Sequence, residues 1–198
     1  NYLAILSQLQ RVSSMLPSEQ ENFLARTLHP THYGRFCPVE TPEGTEIGLR
    51  KNLALLAKIS TRCDLENNDL IKILIAIGMK KEMESQGTDI FFNGRFIGHI
   101  LKPEKLIEDL KKKRRNGELP IELSIRYNKV MDSILLSTEF GRVMRPLIIV
   151  KDGKSALTEE HMKLLRENSL KWEDLLKNGI IEYLDAAEEE NALVALEE

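Results

Sequence analysis

Only two of the 198 residues are cysteine, Cys37 and Cys63, and only one is tryptophan, Trp172. Two thiols make no disulfide framework and match no zinc pattern, so a reducing setting, the cytoplasm, is expected. Aromatic residues are 6% of the chain, and nothing supplies the ring-lined cleft that a sugar-cleaving site needs. No apolar run approaches the length that crosses a bilayer, so no membrane partner is expected. A net charge of −3 argues against a free-standing nucleic-acid binder. There is no signal-peptide pattern, no initiator methionine and no internal repeat. The chain runs from Asn1 straight into a helical pattern, as expected of a piece of a longer polypeptide.

What is present is ordinary in bulk, 42% hydrophobic and 30% charged, enough for one large domain or two small ones. The charge is uneven. Residues 1–63 hold seven Lys/Arg against five acids, whereas 182–198 hold seven acids and no Lys or Arg. Any nucleic-acid contact therefore belongs to the front of the chain.

The stretch 28–49, LHPTHYGRFCPVETPEGTEIGL, concentrates Pro30, Pro38 and Pro42 with Gly34, Gly44 and Gly48. Proline fixes its own φ and pushes the preceding residue toward extended backbone, while glycine permits positive φ or close approach. The prediction is a loop of specified shape, neither long helix nor regular strand. It carries His29, His32, Arg35, Glu40, Glu43 and Glu46. Two readings stay open from the residues alone: a crossover with solvated charges, or a loop built to present side chains. A phosphate-loop reading of Gly44 to Lys51 fails, because the spacing is wrong and no Ser or Thr follows the lysine. Glu40 and Glu43 could form an acid/base pair as in glycoside hydrolysis, but lack the aromatics around them. His29, His32 and Cys37 match no metal-ligand spacing, so no metal site is expected.

Elsewhere the periodicity predicts an α+β fold: helices mixed with short antiparallel strands and hairpins, two or more small subdomains, and no doubly wound sheet. A helix is predicted over 1–14, with Tyr2, Ile5, Leu6, Leu9 and Val12 on one face, then a mobile loop over 18–27. Residues 49–61 resume helical spacing, although a run that short also suits a strand. A connector at 64–68 precedes a helix capped by Asp69, with Leu70, Ile73, Leu74 and Ile77 inward. Asn93-Gly94 between apolar runs predicts a hairpin. Pro103 opens the next helix, whose last turn reads KKKRR over 111–115. A solvated helix end complementing the dipole is preferred there to a nucleic-acid patch, because no aromatics interleave. Strands follow near 122–127, 133–137 and 143–150, and Asp152-Gly153 makes a turn. Two helices follow, one from Thr158 with Leu164 and Leu165 inward and one from Ser169 with Trp172 in the core. A last strand spans 180–184, and the acidic end is expected to fray. The expected division is 1–63, 64–150 and 151–198.

HPTHYGRFCPVETPEGTEIGL closely resembles the fork region of the second-largest subunit of multisubunit DNA-directed RNA polymerase. LSQLQRVSS upstream, FFNGRFIGHI and TEFGRVMRPL downstream resemble further segments of that family. The flavour is archaeal: where the bacterial fork has an LGPGG-type segment, this chain reads MLPSEQENF. The resemblance implies a fork domain over 1–63 and external domains beyond it.

It also implies a nucleotidyltransferase complex that polymerises ribonucleotides on a DNA template by two-metal chemistry. The Mg²⁺ would be held by the largest subunit, with no catalytic residue and no cofactor in this segment, which alone would be inactive. Expected partners are the largest subunit, the rest of the second-largest subunit, template DNA, the RNA–DNA hybrid and ribonucleoside triphosphates. Arg11, Arg26, His32, Arg35, Glu40 and Glu43 would lie near the active centre or face nucleic acid. Arg26, Arg35 and Arg11 would contact phosphate, and Glu40 and Glu43 would pair with cations of neighbouring elements. The alternative is a structural or protein-interaction module without nucleic-acid contact.

Overall fold

The computed structural model describes residues 1–62, 67–81 and 87–195. They are mixed α and β, as the periodicity predicts, and fall into two compact units: 1–58 with 143–145, and 59–142 with 146–198.

The first unit opens with α1 (Tyr2–Leu9), which stops five residues short of the predicted end. Arg11–Ser13 instead form β1, paired antiparallel with β2 (Arg50–Asn52), so that Val12 faces Lys51. A strand partner some forty residues away overrides local helical spacing. A four-residue helix, α2 (Phe23–Arg26), capped by the Asn22 side chain, interrupts the segment expected to be a mobile loop. The stretch 49–61 takes its strand alternative, as β2 and β3 (Lys58–Ile59). Little of this unit is interior. α1 buries no residue, and Tyr2, Leu3, Ile5, Leu9, Phe23 and Leu24 are all exposed.

The second unit has a real core. α3 (Asn67–Ile77) begins within the predicted connector and ends before Gly78; Asp69 lies inside it, bonded to Lys72 at 2.9 Å rather than capping. Cys63 and 64–66 lie outside the described residues. β4 (Thr88–Phe92) and β5 (Arg95–Ile100) form the predicted hairpin. Its turn has positive φ at both Asn93 (47°) and Gly94 (76°), the geometry that matches strand twist. After α4 (Pro103–Arg115) come β6 (Ser124–Asn128) and β7 (Ser133–Ser137). The sheet order is β5-β4-β7-β6, with β4 and β7 parallel and the outer pairs antiparallel.

Register explains the buried face. Ile90 sits beside Ile134, Phe92 beside Leu136, and Leu136 beside Ile125; against them pack Leu70 and Leu74 of α3 and Leu106 and Leu110 of α4. Leu110→Ala should cost about 2–5 kcal/mol, because a leucine this enclosed leaves a cavity. The measurement is the urea midpoint followed by fluorescence of Trp172, which lies in this unit.

β8 (Val143–Ile148) has its first three residues in the first unit. β9 (Val150–Lys151) and β10 (Lys154–Ser155) turn through Asp152-Gly153 as predicted. α5 (Glu159–Arg166) and α6 (Trp172–Lys177) surround a smaller cluster of Leu175, Ile180 and Ile181, joined by Trp172, Leu165 and Leu176. Leu164 stays exposed rather than inward. Lys171, not Ser169, precedes α6, with the Asp174 carboxylate accepting from its N–H at 3.0 Å.

β11 (Ile181–Asp185) is the predicted last strand, and α7 (Ala186–Glu189) takes up part of the end expected to fray; 196–198 lie outside the described residues. The KKKRR run is also corrected. Arg114 is 3% exposed and bidentate on Glu188, at 2.7 and 2.8 Å. Burial opposes the Arg114 charge, but Glu188 and Glu182 outweigh it and hold its pKa above the usual value. Burial pushes the Glu188 carboxyl up, although Arg114 pulls it down. In Glu182 the same contest, burial against Arg115 and Arg114, ends below the usual value. Arg114 follows Leu106 and Leu110 at intervals of four, so it lies on the core face of α4. The other arginine of the run, Arg115, pairs with Glu182 at 2.7 Å.

Among the described residues no helix is long and apolar enough to cross a membrane.

Candidate nucleic-acid interface

The stretch 28–49 folds as two single 3-10 turns, Pro30–His32 and Gly44–Glu46, set in turns and loop. Pro30 suits the start of the first, where a missing N–H is no loss. His29 closes it: its N–H donates to His32 Nδ1 at 3.2 Å, and its own Nδ1 accepts from Thr31 N at 3.3 Å. An imidazole that accepts at Nδ1 carries no proton there. Burial, then Lys51, then His29 lower the His32 pKa below the ordinary histidine value. The His32 ring stands edge-on to Phe36, centroids 5.6 Å apart. His32 is a neutral brace of this turn.

Arg35 is 2% exposed. Its Nε donates to Val143 O and one terminal nitrogen to Thr31 O, both at 3.2 Å. A guanidinium so placed fastens loop to strand, its N–H groups turned to carbonyl oxygens. Gly34 beside it has φ +75° and lies against the Arg145 side chain.

Arg26 is also turned to the backbone. One terminal nitrogen donates to Thr45 O and Ile47 O at 2.7 and 3.0 Å, the other to Ser18 O and Gln20 O at 2.8 and 3.1 Å. Four carbonyls on two loop segments are therefore tied by one side chain, over a shallow cavity of about 360 Å³ that Phe23 and Thr45 help to line. The helical turn of α2 supplies the geometry, carrying Arg26 at its last position.

Thr41 and Gly48 complete the frame. The Thr41 hydroxyl donates to Arg50 O at 2.9 Å and accepts from Gly48 N at 2.8 Å, closing the loop between them. Lys51 Nζ donates to Gly48 O, and burial lowers its pKa. The Asn52 amide donates to Glu40 O at 3.4 Å. The sequence reading missed Thr41, Lys51 and Asn52 as framing residues. A hydroxyl between two prolines was the one local signal.

Held outward by this frame are Glu40, Glu43 and, from β1, Arg11, all exposed. Glu40 accepts from the Ser7 hydroxyl at 3.1 Å. Glu43 precedes the second 3-10 turn and makes no cap with its side chain. Glu46 is engaged by Arg50 at 2.6 Å. The six predicted residues thus divide by geometry. Arg26, His32 and Arg35 shape the loop; Glu40 and Glu43 stand on its surface, and Arg11 is exposed on β1. Among the described residues no group of three or more His, Cys, Asp or Glu side chains is arranged to hold a metal ion.

Comparison with known families gives three matches along the chain. Residues 1–59 match RNA polymerase Rpb2, domain 3; residues 90–151 match domain 4; residues 172–198 match domain 5. The chain is 39% identical to DNA-directed RNA polymerase subunit Rpo2 of Saccharolobus shibatae, over all of this chain and 19% of that protein. It is 37% identical to DNA-directed RNA polymerase II subunit RPB2 of Encephalitozoon cuniculi, over 99% of this chain and 18% of the relative. With DNA-directed RNA polymerase III subunit RPC2 of Saccharomyces cerevisiae the identity is 33%, over all of this chain and 18% of the relative. The chain spans less than a fifth of the length of these relatives. The loop that Arg26, Thr41 and Arg35 frame lies within the first match, and the archaeal subunits share 37–39% identity with the chain; on this combined ground the chain belongs to the family of the second-largest RNA polymerase subunit, of archaeal type, and carries sequence of its domains 3, 4 and 5.

Proposed function

We propose that this chain, as part of the second-largest subunit of a DNA-directed RNA polymerase, lines the active centre and helps keep nucleic-acid strands apart near the downstream end of the RNA–DNA hybrid. The observation that carries the reading is the division of labour in 28–49. Buried or tied arginines fix a stiff loop whose outer surface presents Glu40 and Glu43, while Arg11 is exposed on β1. A surface arginine suits a phosphate. Exposed carboxylates beside nucleic acid need cations from other parts of the assembly, and these set their geometry.

The partners proposed are the other polymerase subunits, the largest above all, the remainder of the second-largest subunit, template DNA, the hybrid and ribonucleoside triphosphates, in the cytoplasm. The functional division is 1–63 as fork, 64–150 and 151–198 as external parts. Mg²⁺ belongs to the largest subunit in this reading. No metal step is assigned to this chain. The nucleotidyl transfer is an activity of the complex.

Glu43→Ala and Arg26→Ala in reconstituted polymerase test the reading. Glu43→Ala should slow or speed elongation with assembly intact, because it removes a surface charge and no internal contact. Arg26→Ala should change elongation and also loosen the loop, by about 1–3 kcal/mol for the charged hydrogen bonds lost. Elongation unchanged in both would leave the second reading, a protein-interaction module. That reading is favoured by the exposed apolar side chains of α1, which suit a protein surface.

A further inference from the structure

Arg26 and Arg35 give N–H groups to carbonyl oxygens. A third cation of the first unit, Lys51, is placed differently. It is the middle residue of β2, opposite Val12. Side chains alternate along a strand, so Arg50 and Asn52 take the other face. There Arg50 pairs with Glu46 at 2.6 Å and Asn52 is buried. Along the other edge of β2, Leu53 bridges to Phe36, and Cys37 N donates to Asn52 O at 2.8 Å. That pairing brings the turn at His32 close to Lys51, whose charge acts on the His32 ring.

Lys51 is half-buried, and Gly48 O accepts from its Nζ. An ammonium carries three N–H donors, and a single carbonyl leaves the others to be satisfied. Among the described residues no carboxylate pairs with it. Glu46 holds Arg50, and the Glu40 carboxylate accepts from the Ser7 hydroxyl. Burial lowers the Lys51 pKa, with no carboxylate acting to raise it. A charge taken partly out of water without a counter-charge costs stability. An anion from outside the chain offsets that cost.

We propose that Lys51 is an anion-binding residue of this loop, which turns its remaining N–H donors to a phosphate oxygen. The ligand is a phosphate group, carried by the nucleic-acid backbone or by a ribonucleoside triphosphate. This rests on the reading of the loop as part of a polymerase active centre. A lysine acts as a compact point charge, so it binds a phosphate without the fixed fork that an arginine needs. His32, held neutral beside it, adds no second charge. The phosphate is therefore met by one ammonium, on a strand that the loop frame keeps in place.

The test uses reconstituted polymerase with Lys51→Gln, which keeps an N–H donor for Gly48 O and removes the charge, and with Lys51→Arg, which keeps the charge. Two quantities are measured: the KM for ribonucleoside triphosphate, and the stability of a halted elongation complex against salt concentration. In Lys51→Gln a KM raised about tenfold assigns the phosphate to the nucleotide. A log–log salt slope reduced by about one assigns it to the nucleic-acid backbone. Lys51→Arg should recover most of either loss. Lys51→Gln matching the parent in both quantities would overturn the proposal, since the contact with Gly48 would then be the whole role of the side chain. Equal loss in Lys51→Gln and Lys51→Arg would overturn it too, because charge would not be what matters. Glu43→Ala is measured alongside. Elongation altered in Glu43→Ala but not in Lys51→Gln sinks the lysine alone; elongation altered in neither sinks the underlying reading with it.

Discussion

Arg114→Ala should destabilise the second unit by about 3–5 kcal/mol, because it strands a buried carboxylate. Glu188 is 2% exposed, and both its oxygens lie on the Arg114 guanidinium. The same guanidinium donates to Leu123 O at 2.6 Å and Glu182 Oε2 at 3.0 Å, so removal opens a polar gap among three groups. The pair itself contributes far less than its loss would cost, since desolvation offsets most of its attraction. Arg114→Met with Glu188→Leu should therefore recover much of the stability lost by Arg114→Ala. Full recovery is not expected, because Ile125 N would lose its acceptor. Urea unfolding followed at Trp172 reads both variants against the parent. A drop below about 1 kcal/mol for Arg114→Ala would mean that water reaches Glu188 freely.

Gly48→Ala should be the most damaging change in the first unit. Gly48 has φ +72°, and a Cβ there would stand 2.3 Å from the Arg26 carbonyl oxygen and 2.7 Å from its Cα. The left-handed backbone alone costs an alanine about 1–2 kcal/mol. The clash is with backbone, which cannot swing aside, so Arg26 must move and its four carbonyl bonds with it. Gly44→Ala is the control: φ is +83°, but nothing lies within 4 Å of the added methyl, so only the backbone term applies. Trypsin cleavage after Arg26 should be slow in the parent and in Gly44→Ala and much faster in Gly48→Ala. In reconstituted polymerase Gly48→Ala should change elongation more strongly than Glu43→Ala does. Equal behaviour of the two glycine variants would show that the close approach at Gly48 carries no constraint.

The second unit was largely legible in its residues because its signals are local. Asn93-Gly94, Pro103 and Asp152-Gly153 each fix a turn or a helix start by their own backbone chemistry. The stripe of α4 was legible too, yet only as far as Leu110. One step further it reaches Arg114, and a charge on an apolar stripe is read as solvated unless its partner is known. That partner, Glu188, lies 74 positions away. The same distance problem hid β1, whose partner is Arg50–Asn52, and the inward course of Arg35 toward Val143. The loop 28–49 was readable as rigid but not in its orientation. Prolines and glycines declare stiffness; which arginines turn in depends on carbonyls supplied by other stretches.

α1 carries one more consequence. A helix whose leucines, isoleucine and tyrosine sit in water has no folding reason to keep them. Leu9→Ser or Tyr2→Ser would leave the unit's own stability almost untouched. In the reading that seats α1 on another part of the polymerase, the tolerance of these positions to change is a property of the assembly and invisible in any assay of the lone chain.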